Sequence, residues 1–312
     1  MDDQPNLKLL NRDLTRSIVR EHMASQLTAL RSLVDFGVNL IDRSFEVAQV
    51  SGMAKLIAVG VFLKQVVAMA DAVEVLLNEG ALYACHLPAR GAFEASIYLH
   101  YILERDSDAR AMRFYVGDLR RQLEGARMAI PGTREAEKLA RLDEMTGGPT
   151  DRSEMEPLAR EQAAGIEREL RKPDLAGINA EFDTARRKLR RDPAWYTLEK
   201  GLSVHNVRDL SRHLSRLVDY EAFYGRGSAV MHSGTYKDHL DVQGGGKVAL
   251  VPIRHIGDSP HLLRQVFLVT LGSYHQVILA FASDEAPAAR ELYLSKWRAA
   301  FMDMPELNWD YV

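Results

Sequence analysis

Apolar residues recur at spacings of three and four through Ile18, Met23, Leu27, Leu30, Val34, Val38 and Ile41. That is the period of a long amphipathic helix. Ser51-Gly52 breaks the pattern. Met53 to Leu77 is apolar over most of its circumference, which predicts a buried helix ended by the C-cap signal Asn78-Glu79-Gly80. Ala81 to Glu104 predicts a third helix, with Pro88 either kinking it or standing near its true start. Asp106-Ser107-Asp108 can cap a fourth helix running to about Met128, and Ile130-Pro131-Gly132 closes that group.

The pattern then changes. Residues 131–194 hold 13 basic and 14 acidic side chains and few large apolar ones, which predicts solvent-facing helices in a charged arm or insertion. Breaks fall at Gly147-Gly148-Pro149 and at Lys172-Pro173. Its one basic run, Ala185 to Asp192, has the composition of a solvated helix face, with a phosphate-binding patch as the sharper alternative. Core-like residues return at Trp195-Tyr196, and Asn206 can cap a helix through Val207, Leu210, Leu214, Leu217 and Val218. Gln243 to Ile253 predicts a short β-hairpin-like segment, a glycine turn followed by Val248–Val251. Two more helices follow, from Ser259-Pro260 to about Ala282 and from about Ala286 to Phe301. The expected fold class is all-α: one domain over 1–312, a multi-helix bundle of largely antiparallel neighbours carrying the charged arm.

Composition narrows the function classes. The net charge of −3 advertises no global affinity for nucleic acid, so any such site must be local. Arginine outnumbers lysine 30 to 10, a bias that genome composition produces as readily as phosphate binding. A lone cysteine, Cys85, in an apolar helical stretch excludes a disulfide framework and predicts an inert buried thiol. No signal peptide is read at the N-terminus. The apolar segments Leu56–Leu77 and Gln265–Ala282 carry polar and charged residues that mark them as core helices, not membrane spans. A cytoplasmic protein is expected.

Candidate chemistry concentrates in Tyr220–Asp241. Tyr220, Tyr224, Ser228 and His232 are four apart, which on a helix stacks them into one polar stripe. Its plain interpretation is a satisfied polar seam between helices. Arg226 and His232 stand as R-x5-H. An imidazole can deprotonate a ribose 2′-hydroxyl and a guanidinium can hold the adjacent phosphate, which together cleave RNA without metal. The spacing is not diagnostic, because chance predicts about three R-x4-6-H matches in so arginine-rich a chain and it has four. Arg90 and Glu94 form an i, i+4 pair in an apolar helix. They are either a structural ion pair or an anion-holding guanidinium steadied by its carboxylate. His232, Asp238, His239 and Asp241 have the right atoms for a divalent metal, yet their spacing matches no metal motif, and no metal or cofactor is expected. P-loop, nucleophile-elbow and dinucleotide-binding patterns are missing from the sequence.

Arg90-x-x-Phe93-Glu94, then Tyr224-x3-Ser228-x3-His232, then a Gly/Val/Pro segment before two last helices resemble the bacterial family catalogued as domain of unknown function 5677. The resemblance spans roughly residues 25–300. It implies an all-helical cytoplasmic protein, often encoded near mobile or defence genes, with no agreed activity. More distantly, the bundle with its Arg…His pair is similar to the HEPN superfamily, whose active members are metal-independent RNases and usually dimers. That likeness implies His232 and Arg226 as the catalytic pair, with Tyr224 and Ser228 beside them. Arg90, Glu94, Tyr220 and His239 would bind substrate or position that pair. Gly227 departs from the polar residue common after the arginine. The resemblance further implies RNA as substrate and a homodimer of the toxin or phage-defence type. The alternative is a non-catalytic binding or regulatory protein whose stripe is structural or an anion pocket and whose 131–194 arm meets a protein partner.

Overall fold

The computed structural model describes residues 9–51, 54–146, 148, 154–231, 239–242 and 248–305. They divide into two compact units, one made of the chain up to Arg105 and from Val207 onward, the other of Asp106–Asn206. Regular structure is almost wholly helical, an all-α multi-helix fold.

The first unit opens with α1 (Arg12–His22) and α2 (Ala24–Ser51). The Asn11 side chain caps α1 by accepting from the Leu14 N–H at 3.0 Å. The single apolar period running from Ile18 is therefore shared by two helices. They meet at Met23, which is buried at the corner while its carbonyl accepts from Leu27 at 3.0 Å. α3 (Ala54–Asn78) and α4 (Leu82–Glu104) form an antiparallel hairpin about Gly80. Gly80 has φ +70°. Its N–H donates to Leu77 O and that of Ala81 to Leu76 O, both at 2.8 Å, a Schellman cap. Pro88 lies inside α4, so the helix runs through it. Cys85 is buried in α4, and burial raises its pKa far above the ordinary thiol range, leaving an inert thiol.

The second unit packs α5 (Ser107–Arg127), α6 (Arg134–Thr146), α7 (Glu156–Leu170) and α8 (Pro173–Leu189), then a 3₁₀ turn at Trp195–Thr197. Helix α5 starts where the Asp-Ser-Asp run predicts, though not by the expected cap. Asp106 takes a left-handed φ of 46° and its side chain makes no capping bond. The charged stretch 131–194 lies within this unit, and its break at Lys172-Pro173 separates α7 from α8. The core holds Phe182 and Trp195, whose ring meets Phe114 edge-on at 5.6 Å. It also holds Arg110, 0% exposed, whose guanidinium grips Glu199 in two bonds, Nε to Oε2 at 2.7 Å and Nη2 to Oε1 at 3.2 Å.

Returning to the first unit, the chain forms α9 (Val207–His213), α10 (Leu217–Tyr220), a π-turn (Glu221–Gly225) and α11 (Arg226–Met231). The single helix expected from Asn206 is thus broken at Ser215, whose φ is +58°. The break places Arg216 against α4. Its Nη1 donates to Ser96 Oγ at 2.8 Å and its Nε to Asp219 Oδ2 at 2.8 Å. β1 (Leu240–Val242) pairs antiparallel with β2 (Val248–Leu250), Leu240 opposite Leu250. The hairpin-like segment is present, but its first strand lies before residue 243.

α12 (Ser259–Phe281) completes the core. The last helix expected is present as one unbroken run of α13 (Ala286–Leu292), a second π-turn (Tyr293–Trp297) and α14 (Arg298–Met302). The turn seats Trp297, fully buried, with its indole N–H donating to Ser32 Oγ at 3.2 Å. Among the described residues, no helix is long and apolar enough to cross a membrane.

Gly37 sets how closely α2 approaches α12. A Cβ there would stand 2.0 Å from Tyr274 Oη and 2.7 Å from Val67 Cγ2, and the Tyr274 hydroxyl is held by donating to Leu33 O at 3.0 Å. Gly37→Ala is expected to lower stability by about 2–3 kcal/mol through overpacking, measured by urea unfolding. A change below about 0.5 kcal/mol, the usual size for an indifferent substitution, would contradict this packing.

Candidate functional site

Helix α4 presents Arg90 and Glu94 to the 217–231 segment. Arg90 is largely buried, its side chain 14% exposed, and its Nε donates to Glu94 Oε1 at 2.9 Å. The flat guanidinium lies over the Tyr224 ring, Cζ 3.9 Å from its centroid, a cation–π contact in a partly desolvated place. Tyr224 in turn stacks on Tyr220 at 4.7 Å and 16°. Tyr220 meets Phe93 of α4 edge-on at 6.4 Å, and Phe93 stacks on Phe223 at 5.4 Å. The two halves of the motif, 130 residues apart in sequence, are therefore brought together.

The stripe itself is not one straight ladder. The turn at Glu221–Gly225 closes i→i+5 bonds, which shifts the phase of α11 relative to the start of the segment. Tyr220 and Tyr224 are stacked at its start, while Ser228, half-buried, stands beyond it on α11. The Arg226 side chain and all of His232 lie outside the described residues. Arg90 reaches toward that end of the segment, with Nη1 3.9 Å from Sδ of Met231, the residue before His232.

Gly227 has a packing cause. A Cβ on it would stand 2.8 Å from Arg90 Cβ and 3.0 Å from the His86 carbonyl. The glycine after Arg226 lets α11 lie directly on the backbone of α4. Gly227→Ala is expected to cost about 1–3 kcal/mol and to lift Tyr224 off Arg90. Thermal unfolding checks the first effect. The tyrosine environment in near-ultraviolet circular dichroism checks the second, and an unchanged spectrum with unchanged stability would refute the close approach.

Sequence reading missed a polar seam one turn further along α4. Ser96 accepts from Arg216 and from Ser273 Oγ of α12 at 3.0 Å, and Arg216 also lies 5.6 Å from the Phe93 ring. His100 follows Ser96 by four residues. Burial, helped by the positive charge of Arg216, pushes its pKa down to about 3, so it stays a neutral imidazole at physiological pH. Ser96 and His100, at i, i+4 in an apolar run, were the available signal.

His239 is exposed, its ring 5.0 Å from Tyr83 in the first turn of α4, and its contact is with that tyrosine, not with Arg90. Of the metal-ligand candidates, His232, Asp238 and the Asp241 side chain lie outside the described residues. Among those described, no three His, Cys, Asp or Glu side chains gather as a metal would require.

No curated protein and no solved structure matches the chain. A family model described as a family of unknown function, DUF5677, matches residues 56–247. The match takes in Arg90, Glu94, the tyrosine pair and all of the charged stretch, well over half of the sequence. The chain belongs to the family of unknown function DUF5677.

Proposed function

We propose that the chain is an HEPN-like, metal-independent endoribonuclease whose site lies at the end of α11. The observation that supports it is the placement of Arg90. Its guanidinium is steadied by Glu94, laid on Tyr224 and aimed along α11 to within contact of Met231, next to His232. An arginine so held is a ready clamp for a phosphate. His232 would take the proton of a ribose 2′-hydroxyl. The 2′-oxygen then attacks the adjacent phosphorus, the bond to the next 5′-oxygen breaks, and the imidazolium returns its proton to that oxygen. The products are a 2′,3′-cyclic phosphate and a 5′-hydroxyl. Tyr224 and Ser228 would orient the substrate, and Tyr220 would serve as a stacking surface for a base.

Arg226 is the rival for the phosphate, and the proposal extends to a homodimer acting in the cytoplasm as a toxin or defence effector. The test is incubation of the purified protein with end-labelled, mixed-sequence RNA in excess chelator. Fragments ending in cyclic phosphate are expected. Their loss in Arg90→Ala but not in Arg226→Ala would identify the clamp. RNA left intact by the wild-type protein would sink the proposal.

One observation favours a second reading, a non-catalytic binding or regulatory protein. Arg90 is already satisfied on two sides, by Glu94 and by Tyr224, as a seam residue would be. On that reading no fragments form and the charged second unit serves as the partner surface.

A further inference from the structure

The second unit holds a cavity of about 330 Å³ between α5, α7 and α8, with the start of α6 at its wall. That is the lower end of the range for small-molecule sites, about 300–1,000 Å³. Its charged lining is four arginines against five carboxylates. Four of those carboxylates have cations. Arg120 holds Asp183 at 2.8 Å and Asp192 at 3.0 Å, Arg127 holds Glu167 at 2.8 Å, and Lys138 stands 3.4 Å from Glu124. The fifth is Glu135. It is 8% exposed, and among the described residues it makes no hydrogen bond or ion pair.

A carboxylate on a cavity wall with no cation of its own leaves a place that one can fill. Its position in the first turn of α6 gives it the favourable end of a helix dipole, a small and surface-screened effect. The surrounding arginines do not serve it, since each is turned to another acid. With Lys138 the cations equal the carboxylates in number, so net charge favours neither sign, and a cation is favoured by the one carboxylate that the walls leave without a partner. Leu123 and Leu170 add apolar wall beside the charged rim, which suits the methylene stem of an alkyl amine.

We propose that this cavity is a binding site for a small organic cation, a primary ammonium or guanidinium on a short alkyl chain, with Glu135 as its carboxylate. The site is independent of the Arg90 region and does not require the chain to be a nuclease.

The test is calorimetric titration of the full chain with agmatine and with putrescine. Saturable binding of one equivalent is expected, with none for succinate or inorganic phosphate. Glu135→Gln keeps the side-chain shape and should weaken binding at least about tenfold, a difference of about 1.4 kcal/mol. Glu144→Gln, exposed on the same helix, should bind as the wild type does. The proposal is overturned if neither amine binds at low millimolar concentration, if Glu135→Gln binds undiminished, or if both variants weaken alike. Amide hydrogen exchange on the wild-type protein gives a check without a variant. Agmatine should slow exchange at the start of α6 and along α8, and protection confined to other helices would equally refute the site.

Discussion

His232→Ala is expected to lower RNA cleavage by about 10²–10⁴-fold, the contribution of a positioned general base, with the unfolding midpoint unchanged. An imidazole with an ordinary pKa near 6.5 is mostly neutral at pH 7 and can accept a proton, and once protonated it can return it. Alanine can do neither. Arg90→Lys makes the companion case, keeping the charge but losing the planar fork that holds two phosphate oxygens at once. It should impair cleavage while His232 keeps its pH dependence. Rates measured across pH 5–8 in chelator separate the two roles. Loss of the acid limb in His232→Ala is the decisive result, and a variant as active as the wild type would remove His232 from the mechanism.

Glu199→Ala is expected to destabilise the second unit by about 3–5 kcal/mol, because it strips the carboxylate from a buried guanidinium. Arg110 is 0% exposed and holds Glu199 through both Nε and Nη2. That loss is a large part of the about 5–15 kcal/mol by which folded domains are held. Replacing both partners by apolar residues, as in Arg110→Met with Glu199→Leu, should recover much of it, since no buried charge is then left behind. Urea unfolding of the wild type, Glu199→Ala and the double variant compares the three. A Glu199→Ala chain within about 1 kcal/mol of wild type would show that Arg110 finds compensation elsewhere.

Helix period carried the fold well. Buried helices α3, α4 and α12 are apolar on most sides, so their existence and limits are written in composition alone, and Gly80 and Pro173 end or begin helices by local backbone constraint. The interruptions were not legible. Ser215 in a left-handed conformation and the π-turn at Tyr293–Trp297 serve tertiary contacts, namely Arg216 reaching Ser96 and Trp297 reaching Ser32. No local propensity announces them. In the candidate site, the pairing of Arg90 with Glu94 follows from i, i+4 spacing. The contact of Arg90 with Tyr224 needed the fold, because nothing in sequence says which two helices 130 residues apart share a face. The packing role of Gly227 was equally hidden, since its neighbours His86 and Arg90 belong to another helix.

The π-turn at Glu221–Gly225 also acts as a phase setting. At 3.6 residues per turn, one residue more or fewer rotates everything downstream by about 100°. Removing a single residue there would let an α-helix run straight through. It would also swing Gly227 off α4, bring a side chain into the space it keeps clear, and re-aim Met231. The register between the tyrosine pair and the end of α11 thus behaves as a screw thread cut to one length. Insertions and deletions in this segment should come in compensating sets, even where single substitutions are tolerated.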